Sequence, residues 1–93
     1  TTIGVVATNG ILSKPEANKV AQMAQNGLAR SINPIHTMYD GDTIFTMSTG
    51  KVKSDVNLIG TLSSEVVSRD IKNAILSTNS YKNILSYEDL KRC

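Results

Sequence analysis

Residues 1–33 read TTIGVVATNG ILSKPEANKV AQMAQNGLAR SIN, and this stretch decides the fold. Residues 2–8 are β-branched and mostly apolar, which predicts a strand, and Asn9-Gly10 predicts a turn after it. Most domains begin with a few poorly ordered polar residues, so a strand at the second residue needs a reason. Three explanations are open: removal of an initiator methionine, trimming of the chain, or cleavage of a longer precursor before Thr1.

A helix is predicted to follow this strand. Ser13 and Glu16 have the spacing of a capping box, and Pro15 falls in the first turn, where its missing N–H costs little. Asn33-Pro34 should end the helix, because the residue before a proline disfavours helical geometry. The apolar residues recur at steps of three and four. They are Ala17, Val20, Ala21, Ala24, Leu28 and Ile32.

The second half of the chain repeats the order of strand and helix. Residues 44–49 predict a strand that ends at Gly50, and residues 51–54 predict a polar loop. A second helix should run from about Val56 to Leu76, with Asp55 as its N-cap. Its expected apolar positions are Leu58 or Ile59, Leu62, Val66, Asp70 or Ile71, and Ala74 or Ile75.

The element order predicts an α/β layered fold, with one last helical turn over residues 87–90. Two strands are too few for a stable sheet of their own. The 93 residues include one Phe, three Tyr and no Trp, which is a light core for a small domain. The simplest solution is a larger sheet whose other strands come from a different polypeptide, so residues 1–93 would be a partial domain.

Charge and composition argue against several classes of function. The net charge is only +2, and no aromatic residues interleave with a basic stripe, so no nucleic-acid partner is expected. No apolar run reaches 18 residues, so no membrane partner is expected either. The glycines are too dispersed for a phosphate loop, and no metal-ligand cluster is visible, so neither a cofactor nor a metal is expected. The one cysteine, Cys93, suits an exposed terminal thiol.

Thr1 is the first candidate for chemistry. A hydroxyl is a poor nucleophile without a base, and an N-terminal threonine carries its own base in the α-amino group, whose ordinary pKa is about 7.7–8.0. The pair Asp40 and Asp42 is the second candidate. Two carboxylates at this spacing can form an Asx-turn before a strand, or they can lie at the mouth of a sheet and contact Thr1 across neighbouring strands. A calcium loop would need further acidic residues after Asp42.

His36 is the only histidine in the chain. A Ser/His/Asp arrangement would need His36 as the base and Ser31 or Ser48 as the nucleophile. Neither serine has the G-x-S-x-G context that such a nucleophile often has. The sequence therefore favours a structural or substrate-adjacent role for His36.

Two stretches carry a resemblance to a known family. Residues 1–9 (TTIGVVATN) and 36–45 (HTMYDGDTIF) resemble the small subunit of the DmpA-type peptidases. That family includes L-aminopeptidase/D-esterases, β-peptidyl aminopeptidases and the nylon-oligomer hydrolase NylC. The stretch between them, with KVAQMA and GLAR, is also similar. The likeness covers roughly residues 1–76.

The resemblance implies a precursor that cuts itself and frees a nucleophile at Thr1. Asp40 and Asp42 then match the family's two helper residues, which would hold the hydroxyl and the amine of Thr1. Both helpers are Asp in the nylon hydrolases, whereas the β-peptidyl aminopeptidases have Ser and Glu. The implied fold is an αββα sandwich shared with a separate large subunit. The αβ units usually assemble further, and the family's oxyanion Asn and helper Lys lie on the large subunit.

The function expected from this resemblance is hydrolysis of amide bonds in small peptides or aminoalkanoate oligomers, through an acyl-enzyme on Thr1. Two alternatives stay open. The first is acyl transfer of the ornithine acetyltransferase kind, which uses the same N-terminal threonine. The second is a noncatalytic αβ interaction domain, which a stable monomer without a partner would favour. The expected compartment is the cytoplasm, with the periplasm as the alternative.

Overall fold

The computed structural model describes residues 1–91 and shows a two-stranded parallel sheet packed against helices. The elements are β1 (Ile3–Gly10), α1 (Lys14–Ser31), β2 (Thr43–Val52), α2 (Val56–Leu76) and α3 (Tyr87–Lys91). The predicted α/β class and the predicted order of elements are confirmed. Within residues 1–91 no helix is long and apolar enough to cross a membrane. Cys93 lies outside the described residues.

Both long helices begin where their caps predict. The N–H of Ser13 donates to Oε1 of Glu16 at 2.9 Å, and the N–H of Glu16 donates to Oγ of Ser13 at 3.3 Å, which completes the capping box. The backbone and side-chain hydrogen bonds from Ser13 hold the pKa of Glu16 below its ordinary value. At the start of α2, Asp55 accepts the N–H of Asn57 at 3.3 Å.

The sheet has one face against the helices and one face bare. Parallel pairing places Gly4 opposite Ile44 and Val6 opposite Thr46, so these residues share the covered face. The core cluster consists of Ala24, Leu28 and Ile44, with Val6, Ala21, Ile35, Val67 and Ile71 packed against it. The stripe predicted for α1 is therefore confirmed, since Val20, Ala24 and Leu28 are its buried residues. The bare face carries Ile3, Val5, Ala7, Phe45 and Met47.

The stripe predicted for α2 is wrong in part. Leu62 and Val66 are 50% and 49% exposed, whereas the buried positions are Ile59, Gly60, Ser63, Ser64 and Ser68. Small residues bury here because α1 and α2 approach closely. A Cβ added to Gly27 of α1 would lie 2.5 Å from the carbonyl oxygen of Ser64. Periodicity finds the spacing of apolar residues, but it does not show that a helix contacts its neighbour through its small face.

Both strands run further than predicted. Asn9-Gly10 belongs to β1 instead of forming a turn, and β2 continues past Gly50 to Val52. The register passes from Thr8 opposite Ser48 to Gly10 opposite Val52, so three residues of β2 bulge opposite one of β1. Gly50 makes this possible with a φ of 67°, a conformation that glycine adopts at no steric cost. The predicted loop over residues 51–54 is therefore wrong for its first two residues.

Candidate active site

The site lies where both strands begin. Because β1 and β2 are parallel and Ile3 pairs with Thr43, the residues before each strand meet at the same edge of the sheet. The N–H of Thr43 donates to the carbonyl oxygen of Thr2 at 2.9 Å, which extends the pairing outward by one bond. The loop before β2 therefore brings Asp40, Gly41 and Asp42 next to the first two residues of the chain.

Asp42 fixes the chain immediately after Thr1. Its Oδ1 accepts the N–H of Thr2 at 2.7 Å, and its Oδ2 lies 3.0 Å from Nδ1 of His36. The side chain is only 3% exposed. Buried carboxylates are expensive unless they are hydrogen-bonded, and both oxygens of Asp42 have partners. Asp42 therefore holds Thr2 directly and Thr1 through the backbone, and among the described residues no hydrogen bond joins it to the Thr1 hydroxyl.

Asp40 faces the α-amino group. Its Oδ1 lies 3.4 Å from the N-terminal nitrogen of Thr1, and its Oδ2 accepts both the N–H of Thr37 at 2.9 Å and the hydroxyl of Thr37 at 2.8 Å. The Thr37 backbone hydrogen bond first, and the Thr37 hydroxyl second, hold the pKa of Asp40 below its ordinary value of 3.8. Asp40 is therefore a carboxylate at neutral pH, and it shapes its own turn as well as facing the amine.

The Thr1 hydroxyl accepts a backbone donor. The N–H of Gly41 donates to Oγ1 of Thr1 at 3.2 Å. The side chain of Thr1 is 49% exposed, so a molecule from solvent can reach it. The resemblance implied that the two aspartates hold the amine and the hydroxyl. In the structure the amine faces Asp40, whereas the hydroxyl accepts the N–H of Gly41, the residue between Asp40 and Asp42 in the chain.

His36 belongs to the same loop and holds Asp42. Its φ of 58° places it in the left-handed region, which histidine adopts more readily than most non-glycine residues. Ser31 bonds instead to Ser68, at 2.7 Å between the hydroxyls, and Ser48 bonds to the carbonyl oxygen of Gly10. Neither serine is bonded to His36, so the geometry gives no support to a Ser/His/Asp arrangement.

Two residues of the site were not found from the sequence. Gly41 donates to the hydroxyl, and Thr37 orients Asp40 with two hydrogen bonds. A signal for Thr37 existed, because Thr37 and Asp40 have the [ST]-x-x-[DE] spacing of a capping box. Backbone donors such as Gly41 leave no signal in residue type. Within the part of the chain that the structure describes, no group of three His, Cys, Asp or Glu side chains could hold a metal ion.

The site brings together a hydroxyl that is open to solvent, an amine on the same residue, and a carboxylate that faces this amine. A hydroxyl with an adjacent amine is one arrangement that proteins use for nucleophilic chemistry. The chain belongs to peptidase family S58, whose family model matches residues 1–85. The resemblance found in the sequence is thereby confirmed at the level of the family.

Relatives with assigned names agree with this membership. An uncharacterised aminopeptidase of Mycobacterium leprae is 36% identical over 102 residues, covering 94% of this chain and 28% of that protein. An uncharacterised aminopeptidase of Mycobacterium tuberculosis is 31% identical over 105 residues, covering 97% of this chain and 30% of that protein. A 6-aminohexanoate-oligomer endohydrolase of Agromyces is 31% identical over 80 residues, covering 72% of this chain and 22% of that protein. The chain thus spans less than a third of the length of these relatives.

Proposed function

We propose that this chain is the nucleophile-bearing small subunit of a self-cleaving amide hydrolase, with Thr1 as the attacking residue. The observation that carries the proposal is the joint placement of the two reactive groups of Thr1. Its amine faces Asp40 at 3.4 Å, and its hydroxyl accepts the Gly41 N–H at 3.2 Å. Membership of a peptidase family supports the reaction class.

The proposed reaction has two stages. The neutral amine of Thr1 takes the Oγ1 proton as Oγ1 attacks the substrate carbonyl, and the resulting tetrahedral intermediate expels the substrate amine, which receives that proton. The product is an ester between the acyl group and Oγ1. Water then attacks this ester, the amine again accepts a proton, and Oγ1 leaves with that proton restored to it. The acid product is released and Thr1 is regenerated.

Asp40 has a defined part in this sequence. Its carboxylate lies beside the nitrogen that becomes an ammonium each time the amine accepts a proton. An opposite charge at that position stabilises the state formed during proton transfer more than the state before it. Asp42 positions rather than reacts, because its contacts are the Thr2 N–H and His36.

The proposed partner is a large subunit from the same precursor. The bare face of the sheet exposes Ile3 by 70%, Val5 by 60% and Met47 by 62%. A groove of about 270 Å³ also lies between β1 and α2. Its β1 side is lined by Val5 to Thr8, and its α2 side includes Leu62 and Val66. Water-facing apolar surfaces of this kind mark a docking surface, and the unpaired side of β1 can accept another strand. We propose that the large subunit covers both and completes an αββα sandwich, and that the αβ units then assemble further.

The proposed substrates are small peptides with a free amino end, or aminoalkanoate oligomers. The names of the relatives, aminopeptidase and 6-aminohexanoate-oligomer endohydrolase, motivate both classes. A panel of amino-acid p-nitroanilides and 6-aminohexanoate oligomers would rank them. Turnover of N-acetylornithine with an amino-acid acceptor, in preference to water, would favour the transferase alternative instead.

The test uses the complete precursor with Thr1→Ala and, as a matched control, Thr61→Ala on the exposed surface of α2. Removal of the Oγ1 nucleophile should leave the precursor uncut and lower amide hydrolysis by more than about 1000-fold. Thr61→Ala should be cut and active. A Thr1→Ala protein that is cut normally, or that retains activity, would exclude Thr1 as the nucleophile.

A further inference from the structure

Gly41 is the residue of the loop closest to the proposed nucleophile, and its role extends beyond the N–H that it donates to Thr1 Oγ1. A Cβ added to Gly41 would lie 3.9 Å from Oγ1 and 3.9 Å from Cγ2 of Thr1, and apart from its chain neighbours Asp40 and Asp42 it would meet no other atom of residues 1–91 within 4 Å. The position is exposed. A side chain at residue 41 would therefore extend into open space directly beside the reacting hydroxyl.

Neither a left-handed backbone nor a close approach of Thr1 requires glycine at this position. Gly50 is the only glycine of residues 1–91 in the left-handed region, so the φ angle of Gly41 does not require glycine. The distances of 3.9 Å are ordinary van der Waals contacts, so an added methyl group would not displace Thr1. The contrast with Gly27 is direct, because a Cβ there would lie 2.5 Å from a backbone oxygen.

We propose that Gly41 determines which acyl groups the site accepts, because its bare backbone is one wall of the space that the acyl group occupies. This inference rests on Thr1 being the nucleophile. The acyl carbon is one covalent bond from Oγ1, and the next carbon of the substrate is two bonds away. A methyl group 3.9 Å from Oγ1 lies within reach of a substituent on that next carbon, whereas an unsubstituted CH₂ carries only hydrogen atoms there.

The test compares two substrates with the same leaving group, glycyl p-nitroanilide and L-leucyl p-nitroanilide. For Gly41→Ala in the complete protein, the ratio of kcat/KM for leucyl over glycyl should fall by about 10-fold, the low end of what one methylene group changes in a pocket. Gly4→Ala is the matched control. Its added Cβ would contact Ile44 at an ordinary 3.6 Å on the helix side of the sheet, so the ratio should not change.

A cut, active Gly41→Ala protein with an unchanged ratio would overturn the inference and leave the proposed function intact. Activity in Thr1→Ala, measured in parallel, would overturn the proposed function itself. If Gly41→Ala leaves the precursor uncut, the same variant is made with a specific protease site that ends immediately before Thr1. The cut protein then gives the ratio, and an unchanged value again overturns the inference.

Discussion

Asp42 offers the sharpest test of how the site is held, because its two oxygens have separate partners. Oδ1 accepts the Thr2 N–H at 2.7 Å, and Oδ2 lies 3.0 Å from Nδ1 of His36, with the side chain 3% exposed. Asp42→Ala removes both contacts and leaves the Thr2 N–H without its acceptor. An unpaired buried donor costs about 1–3 kcal/mol, and a hydrogen bond to a charged group contributes about 1.5–3 kcal/mol.

Asp42→Ala should therefore remove about 3 kcal/mol of the free energy that holds residues 1 and 2 in position. If that loss falls on the transition state, kcat/KM for an amide substrate drops by about 100-fold. Asp42→Asn keeps a carbonyl oxygen for the Thr2 N–H, but it removes the charge and places an NH₂ group where Oδ2 faced Nδ1 of His36. Its expected loss is about 1 kcal/mol, or about 5-fold.

The assay measures kcat and KM for both variants on one p-nitroanilide, together with the fraction of precursor that is cut. Asp55→Asn is the matched control, because Asp55 caps α2 at an exposed position and Asn caps a helix equally well. Full activity in Asp42→Ala would reduce Asp42 to a turn residue. An Asp42→Asn protein as damaged as Asp42→Ala would refute the hydrogen-bond reasoning and favour a need for the charge itself.

Two further predictions concern packing and pH. Gly27→Ala should lower the free energy of unfolding of the assembled protein by about 1–3 kcal/mol, because its Cβ would meet the Ser64 carbonyl oxygen at 2.5 Å. Thermal denaturation of this variant, with Gly4→Ala as the control, would measure the loss. Equal melting temperatures for the two variants would contradict the prediction. The lowered pKa of Asp40 means that its contribution to stability is present above pH 3.8 and is lost as the pH falls through the lowered pKa. The melting temperature of the wild type should therefore fall more steeply below pH 3.8 than that of Asp40→Asn, as thermal denaturation of both proteins would show. An equal fall in both proteins would contradict this prediction.

The helices could be predicted from the sequence because their boundaries are set locally. The capping box at Ser13 and the cap at Asp55 each involve residues within three positions of one another, so the contacts are visible in the sequence itself. The ends of the strands could not be predicted in the same way. Glycine is typical of the end of a strand, so Gly50 predicts an end there. The pairing of Gly10 with Val52 instead extends the strand beyond Gly50 through a bulge.

The candidate site could likewise be predicted only in part, because its residue types are visible in the sequence and its contacts are not. Residue types point to Thr1, Asp40 and Asp42, since nucleophiles and carboxylates are recognisable one by one. Which group each carboxylate contacts depends on the parallel register of β1 and β2, and that register places Asp42 on the Thr2 amide instead of the Thr1 hydroxyl. The hydroxyl accepts the backbone N–H of Gly41, and a backbone donor cannot be predicted from residue type.

We propose above that self-cleavage of a precursor exposes Thr1, which then acts as the nucleophile. Intact mass measurement and N-terminal sequencing of the protein purified from its complete gene test it most directly. Two copurifying chains are expected, the smaller beginning at Thr1, and Thr1→Ala should give a single uncut and inactive chain. A single uncut wild-type chain that hydrolyses amides, or a cut elsewhere than before Thr1, would contradict it.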